Sequence, residues 1–107
     1  MMASEPMWCV VMFDLPTKTA QDKREYSRFR NSLLDIGFSR IQYSVYAHYS
    51  PTGLIGTRLV KAIKANLPIG GEVRIYHLTD KQWAKAIRFS NHHEELPDPE
   101  PEQLMIF

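Results

Sequence analysis

The apolar positions of this chain switch between two rhythms. Met7–Asp14 (MWCVVMFD) is a continuous apolar run ending in a carboxylate, and Pro16 stops it from continuing as regular strand. Such a run predicts a central strand covered on both faces. Thr19-Ala20-Gln21-Asp22 then reads as a capping-box-like helix start, with Thr19 placed to accept from the amide of residue 22. Tyr26, Phe29, Leu33 and Ile36 follow at spacings of three and four, one apolar helical face, and Gly37 is a good terminator. Phe38–Tyr49 alternates, with Ile41, Tyr43, Val45 and Ala47 on one side and Arg40, Gln42, Ser44, Tyr46 and His48 on the other. Pro51 and Gly53 break the pattern.

A second helix is predicted over Leu54–Leu67 from Leu59, Ile63 and Leu67, weakened in its first turn by Gly56 and ended by Pro68 and Gly70-Gly71. Glu72–Leu78 alternates again, setting Val73, Ile75 and His77 opposite Arg74, Tyr76 and Leu78. Thr79–Lys85 is expected to form a short helical turn and Ala86–Phe89 a short extended piece. Pro97, Pro99 and Pro101 among acids exclude a helix or central strand from His92–Gln103, which reads as a linker. The apolar end Leu104–Phe107 is expected to add as a strand to a sheet edge, its own or a partner's. The expected organisation is a domain over residues 1–90, an acidic Pro-rich linker over 91–102 and a terminal docking strand over 103–107. The element order fits an α+β sandwich, an antiparallel sheet with two helices on one face. A ferredoxin-like arrangement needs a strand hairpin between the helices. Phe38–Tyr49 is long enough only if it bends near Tyr43–Ser44, where no turn residue forces a bend.

At 107 residues the chain has the length of about one domain. A body this small buries a modest share of its unfolded surface, so association with a second copy would stabilise it. No apolar run approaches the ~20 residues needed to span a bilayer, and the N-terminus has no basic region followed by an apolar stretch. With a single cysteine, Cys9, and hence no internal disulfide, the chain is expected to be cytoplasmic, without a membrane partner.

The formal net charge of +1 hides an asymmetry. Residues 1–91 carry 13 basic and seven acidic side chains, whereas residues 92–107 carry five acidic and none basic. A basic body with an acidic tail suits a polyanion binder, and equally a solvated surface with a charged end.

Asp14 is the one carboxylate placed where chemistry wants it, at the carboxyl end of a buried strand before a tight turn and a helix start. Mg²⁺ takes one or two carboxylates plus waters and substrate phosphates, so two copies of Asp14 across a dimer axis, or one with a phosphate, would hold it. The same position also suits an Asp capping turn amides near Thr17. His48, His77, His92 and His93 have no zinc spacing with Cys9, and neither a nucleophile elbow nor a phosphate-binding glycine loop is present. Lys18, Lys23 and Arg24 gather at the first helix start, with Arg28 one turn beyond Arg24 on the same face. They suit phosphate oxygens, or salt pairing with Asp22, Glu25 or Asp35. Tyr46 and Tyr76, read as outward-facing, suit base stacking or a dimer seam.

Val10-Val11-Met12-Phe13-Asp14-Leu15-Pro16-Thr17, the helix segment Lys23–Arg30 with Leu33-Leu34, Gly37-Phe38, Gln42-Tyr43-Ser44-Val45-Tyr46, Val73-Arg74-Ile75 and Leu78-Thr79-Asp80-Lys81-Gln82-Trp83 together resemble one family. It is the second, smaller of the two core CRISPR-associated adaptation proteins, often labelled a CRISPR-associated endoribonuclease, and the likeness covers about residues 7–90. The Phe-Asp-Leu-Pro-Thr wording is most similar to versions beside type II systems. The resemblance implies a ferredoxin-like fold and a homodimer with sheets face to face. It also implies partnership with the larger integrase subunit, and a spacer-acquisition complex that holds duplex DNA by its backbone. It gives Asp14 the role of divalent-metal ligand, sets Ser44 near the inter-subunit seam, and places Lys18, Lys23 and Arg24 on phosphates. The alternative it carries is an enzyme, a Mg²⁺-dependent endonuclease hydrolysing RNA or DNA with paired Asp14 side chains. An unrelated ferredoxin-like RNA-binding module is a third reading, which needs exposed aromatic platforms.

Overall fold

A computed structural model describes residues 5–53, 57–91 and 93–96. The Met7–Asp14 run forms β1, and Ala20–Ile36 forms α1. Thr19 caps α1 with its hydroxyl on the Asp22 amide while the Asp22 carboxylate accepts from the Thr19 amide, the reciprocal box anticipated from the sequence. Hydrogen bonds from the Thr19 amide and, more weakly, the Lys18 amide hold the Asp22 carboxyl below its ordinary range. Gly37 ends the helix in the left-handed region (φ 111°), and its amide reaches back to the last turn.

Ser39–Gln42 (β2) and Val45–Ser50 (β3) follow, then α2 (Thr57–Ala65) and β4 (Glu72–Thr79). The four strands form one antiparallel sheet in the order β2-β3-β1-β4, with α1 and α2 on one face: a ferredoxin-like arrangement. Beyond it come α3 (Asp80–Ala84), β5 (Arg88–Ser90) and β6 (His93–Glu95), the last two a separate hairpin. So β6 begins within the segment expected to be linker, while residues 97–102 and the terminal segment 103–107 lie outside the described residues.

The stretch 38–49 does bend at Tyr43–Ser44, between β2 and β3, and the cause is not local. Ser44 takes φ +63°, its carbonyl accepts from the Phe13 amide at 3.1 Å, and its hydroxyl shares a 2.8 Å hydrogen bond with Tyr26 on α1. Tyr43 stacks on the same Tyr26 ring, centroids 5.5 Å apart. Strand β1 and helix α1 thus clamp a turn that lacks glycine or asparagine.

A register shift between Arg40 and Gln42 completes the departure from simple alternation. In β3, Tyr46 stands opposite Val11 and faces the helices, where it is 2% exposed and stacks near Phe13. The expectation of an outward Tyr46 is therefore corrected: the pairing with β1 turns its ring into the core, removing it from any surface seam or base platform. Tyr76 remains exposed, as read.

The helix-facing core holds Cys9, Val11 and Phe13 of β1 with Tyr26, Phe29 and Leu33 of α1, Tyr46, and Ile63 of α2. Burial pushes the Cys9 thiol up to about 11, so at neutral pH it packs as a small apolar group. The other sheet face is covered only in part. Trp83 of α3 stacks on Trp8 at 4.1 Å, and Trp8 donates to the Asp80 carboxylate at 2.9 Å. Toward the far end of β1 the cover stops, and Met12 and Asp14 are exposed. No helix among the described residues is long and apolar enough to cross a membrane.

One half-buried histidine makes stability pH-dependent. His48 lies against Phe38 and Gly37, its Nδ1 is buried without a hydrogen-bond partner, and burial lowers its pKa from 6.5. The unfolded chain binds that proton first. Stability is therefore full above pH 6.5 and declines as pH falls from there to the folded value. Urea midpoints measured from pH 8 downward should fall through this window, and His48→Gln should flatten that part of the profile.

Candidate nucleic-acid interface and strand-end site

Asp14 closes β1, and its side chain lies on the sheet face away from the helices, as set by alternation from buried Trp8 and Val10. It borders a shallow cavity of about 330 Å³ whose walls include Met12, Tyr43, Ser44, Glu72 and Arg74. Glu72 is its direct cross-strand partner, so both carboxylates stand on one face. Sequence reasoning found no second acid, because Glu72 is 58 residues away and only the β1–β4 register brings it there. The available signal was the strand start after Gly70-Gly71, which had no pairing partner until the topology was known.

Arg74 occupies the next place on that face. Its Nε lies 2.6 Å from Glu72 Oε1 and its Nη1 3.4 Å from the Tyr76 hydroxyl, partners that raise the guanidinium pKa further. Glu72 is thus already held by a cation, whereas Asp14 appears in no ion pair among the described residues. Nor do those residues contain a cluster of three or more His, Cys, Asp or Glu able to enclose a metal ion. The donor set fits Mg²⁺ only in its open form, with an Asp14 carboxylate completed by a second copy or by phosphate and water.

Lys18, Lys23 and Arg24 are all exposed and sit at the same end of the sheet, where β1 finishes and α1 starts. Asp14 shares that end but not that layer, since α1 covers the opposite sheet face. The nearby acids are taken: Asp22 is in the cap, and Glu25 pairs with Arg28. The Arg28 guanidinium also lowers the Glu25 pKa.

Arg28, also exposed, is already engaged within the chain. Its guanidinium pairs with Glu25 at 3.0 Å and donates to the carbonyls of Asn66 and Leu67 at 3.3 and 3.1 Å. Glu25 in turn accepts from the Ile69 amide. This pair ties α1 to the chain leaving α2, a use that helical spacing alone does not reveal. Ser44, expected at a seam, lines the strand-end cavity and is bonded to Tyr26.

The family model for CRISPR associated protein Cas2 matches residues 7–86. The chain is 39% identical over 101 residues to a CRISPR-associated endoribonuclease Cas2 of Paracidovorax avenae, covering 94% of each chain. A protein of the same name from Parvibaculum lavamentivorans is 37% identical over 101 residues, 94% of this chain and all of the relative. One from Streptococcus mutans is 36% identical over 81 residues, covering 76% and 74%.

Proposed function

Because this chain belongs to the CRISPR associated protein Cas2 family, we propose that it is the small homodimeric subunit of a spacer-acquisition complex, holding duplex DNA by its backbone beside the larger integrase subunit. The observation that carries this reading is the group of exposed cations Lys18, Lys23 and Arg24 at the start of α1, where Asp22 is held in the cap and Glu25 pairs with Arg28. Contacts of this kind bind phosphates without reading bases.

Dimerisation is supported by what one copy leaves uncovered. The β5–β6 hairpin forms its own two-stranded sheet, with Ile87, Phe89 and Leu96 strongly exposed. An isolated hairpin is marginal in water, and these side chains gain from an apolar neighbour. A second copy laid over the partly bare sheet face would supply one and bring two Asp14 side chains into reach of a common ion.

The test is salt-dependent binding to duplex DNA of mixed sequence. Each phosphate neutralised contributes about 0.9 to the slope of log K against log salt. Lys23→Glu/Arg24→Glu should reduce that slope by about two and weaken all sequences alike. Unchanged binding would remove the first helix from the interface.

A second reading is favoured by one observation, the free Asp14 carboxylate opposite Glu72 in the strand-end cavity. It makes the dimer a Mg²⁺-dependent endonuclease, and the relatives' shared name points the same way. A divalent ion held there would supply an activated water and offset charge on the phosphate. Asp14 would hold it, and Arg74 would keep Glu72 oriented.

A further inference from the structure

Helix α2 presents a second cationic surface that the first-helix contacts do not use. Residues 36–71 contain Arg40, Arg58, Lys61 and Lys64 and no Asp or Glu at all. Within α2, Leu59 and Ile63 turn toward the core, while Arg58, Lys61 and Lys64 are exposed. Spacings of three put these cations on the side of the helix opposite the core contact. None has an ion-pair partner among the described residues.

The stripe has the wrong composition for a protein partner and the right one for a polyanion. Its outer face offers no large apolar anchor of the kind that dominates protein interfaces. From Arg58 to Lys64 the helix rises about 9 Å. Over that length one strand of a duplex presents roughly three phosphates, at about 3.4 Å of axis each. Arg28 ties α1 to Asn66 and Leu67 just beyond α2, which sets Lys64 at the same end of the helical layer as Lys23 and Arg24. The two groups therefore lie toward the same end of that layer.

We infer that Arg58, Lys61 and Lys64 form a second phosphate-binding track for duplex nucleic acid, extending the contact across the outer face of α2. The inference rests on the duplex-binding reading, and the two fail separately.

The experiment uses the full chain, a fluorescein-labelled DNA duplex of mixed sequence, and fluorescence anisotropy over a salt series. Arg58→Glu/Lys61→Glu/Lys64→Glu is expected to lower the slope of log K against log salt by about two to three and to weaken binding at every salt concentration. The neutral set Arg58→Gln/Lys61→Gln/Lys64→Gln should show a smaller fall of the same sign. It also serves if the reversed set loses its helical circular dichroism. An unchanged slope in a folded variant overturns the inference, leaving α2 as a solvated face or a protein contact. Loss only in Lys23→Glu/Arg24→Glu would keep the first-helix reading and reject the track. Loss only in the α2 variants would do the reverse.

Discussion

Replacing Asp14 with Asn is expected to lower any Mg²⁺-dependent cleavage by the highly purified protein at least about 100-fold, because even ligand-supporting groups outside a metal's own donor set commonly contribute 10–100-fold. Duplex affinity should persist, since Asp14 faces away from the layer that carries Lys23 and Arg24. Asn preserves shape and the strand-end position but cannot supply the charge a hard cation needs. Glu72 is paired with Arg74 at 2.6 Å, so it is the less available of the two carboxylates. Cleavage of labelled RNA and DNA, measured beside anisotropy on one preparation, checks both halves. Activity surviving in Asp14→Asn would assign it to another site or a contaminant and leave the scaffold as the whole function.

The second large effect concerns Gly71, the residue just before β4. Its φ is +76°, and a Cβ there would lie 2.5 Å from the Asp14 carbonyl oxygen and 2.6 Å from Leu15 Cδ2. The first of these is backbone in the central strand and cannot swing aside. Gly71→Ala therefore combines left-handed strain with overpacking, for a loss of about 2–4 kcal/mol. Neighbouring Gly70 makes a good control: its φ is +79°, but a Cβ would meet only Pro16 at 3.9 Å. Gly70→Ala should cost about 1–2 kcal/mol, the strain alone. Urea unfolding of the three proteins checks the ordering, and equal losses would show that the close approach to Asp14 is unimportant. Because the clash falls on Asp14 itself, any metal-dependent cleavage should decline in Gly71→Ala more than in Gly70→Ala.

Much of this architecture follows from local chemistry. The capping box at Thr19, the apolar stripe Tyr26–Phe29–Leu33, the Gly37 terminator and the apolar β1 run each carry their own cause within a few residues. So do the alternation of Val73 and Ile75 against Arg74 and Tyr76, and the place of Asp14 at a strand end. Such features are legible because helix period, cap and turn residues act over one or two turns of chain. The candidate cations were legible as types, although not as contacts.

What only the tertiary structure decided are the points where distant segments meet. The bend at Tyr43–Ser44 exists because Phe13 and Tyr26 hold it, which no turn residue announces. Tyr46 is in the core because β3 registers against β1 with Tyr46 opposite Val11; alternation alone leaves open which of the two faces is buried. Arg28 ties two helices because the chain leaving α2 offers it carbonyls, and Glu72 stands beside Asp14 because β4 pairs with β1. Local pattern sets which side chains share a face of an element, and packing between elements sets what that face meets.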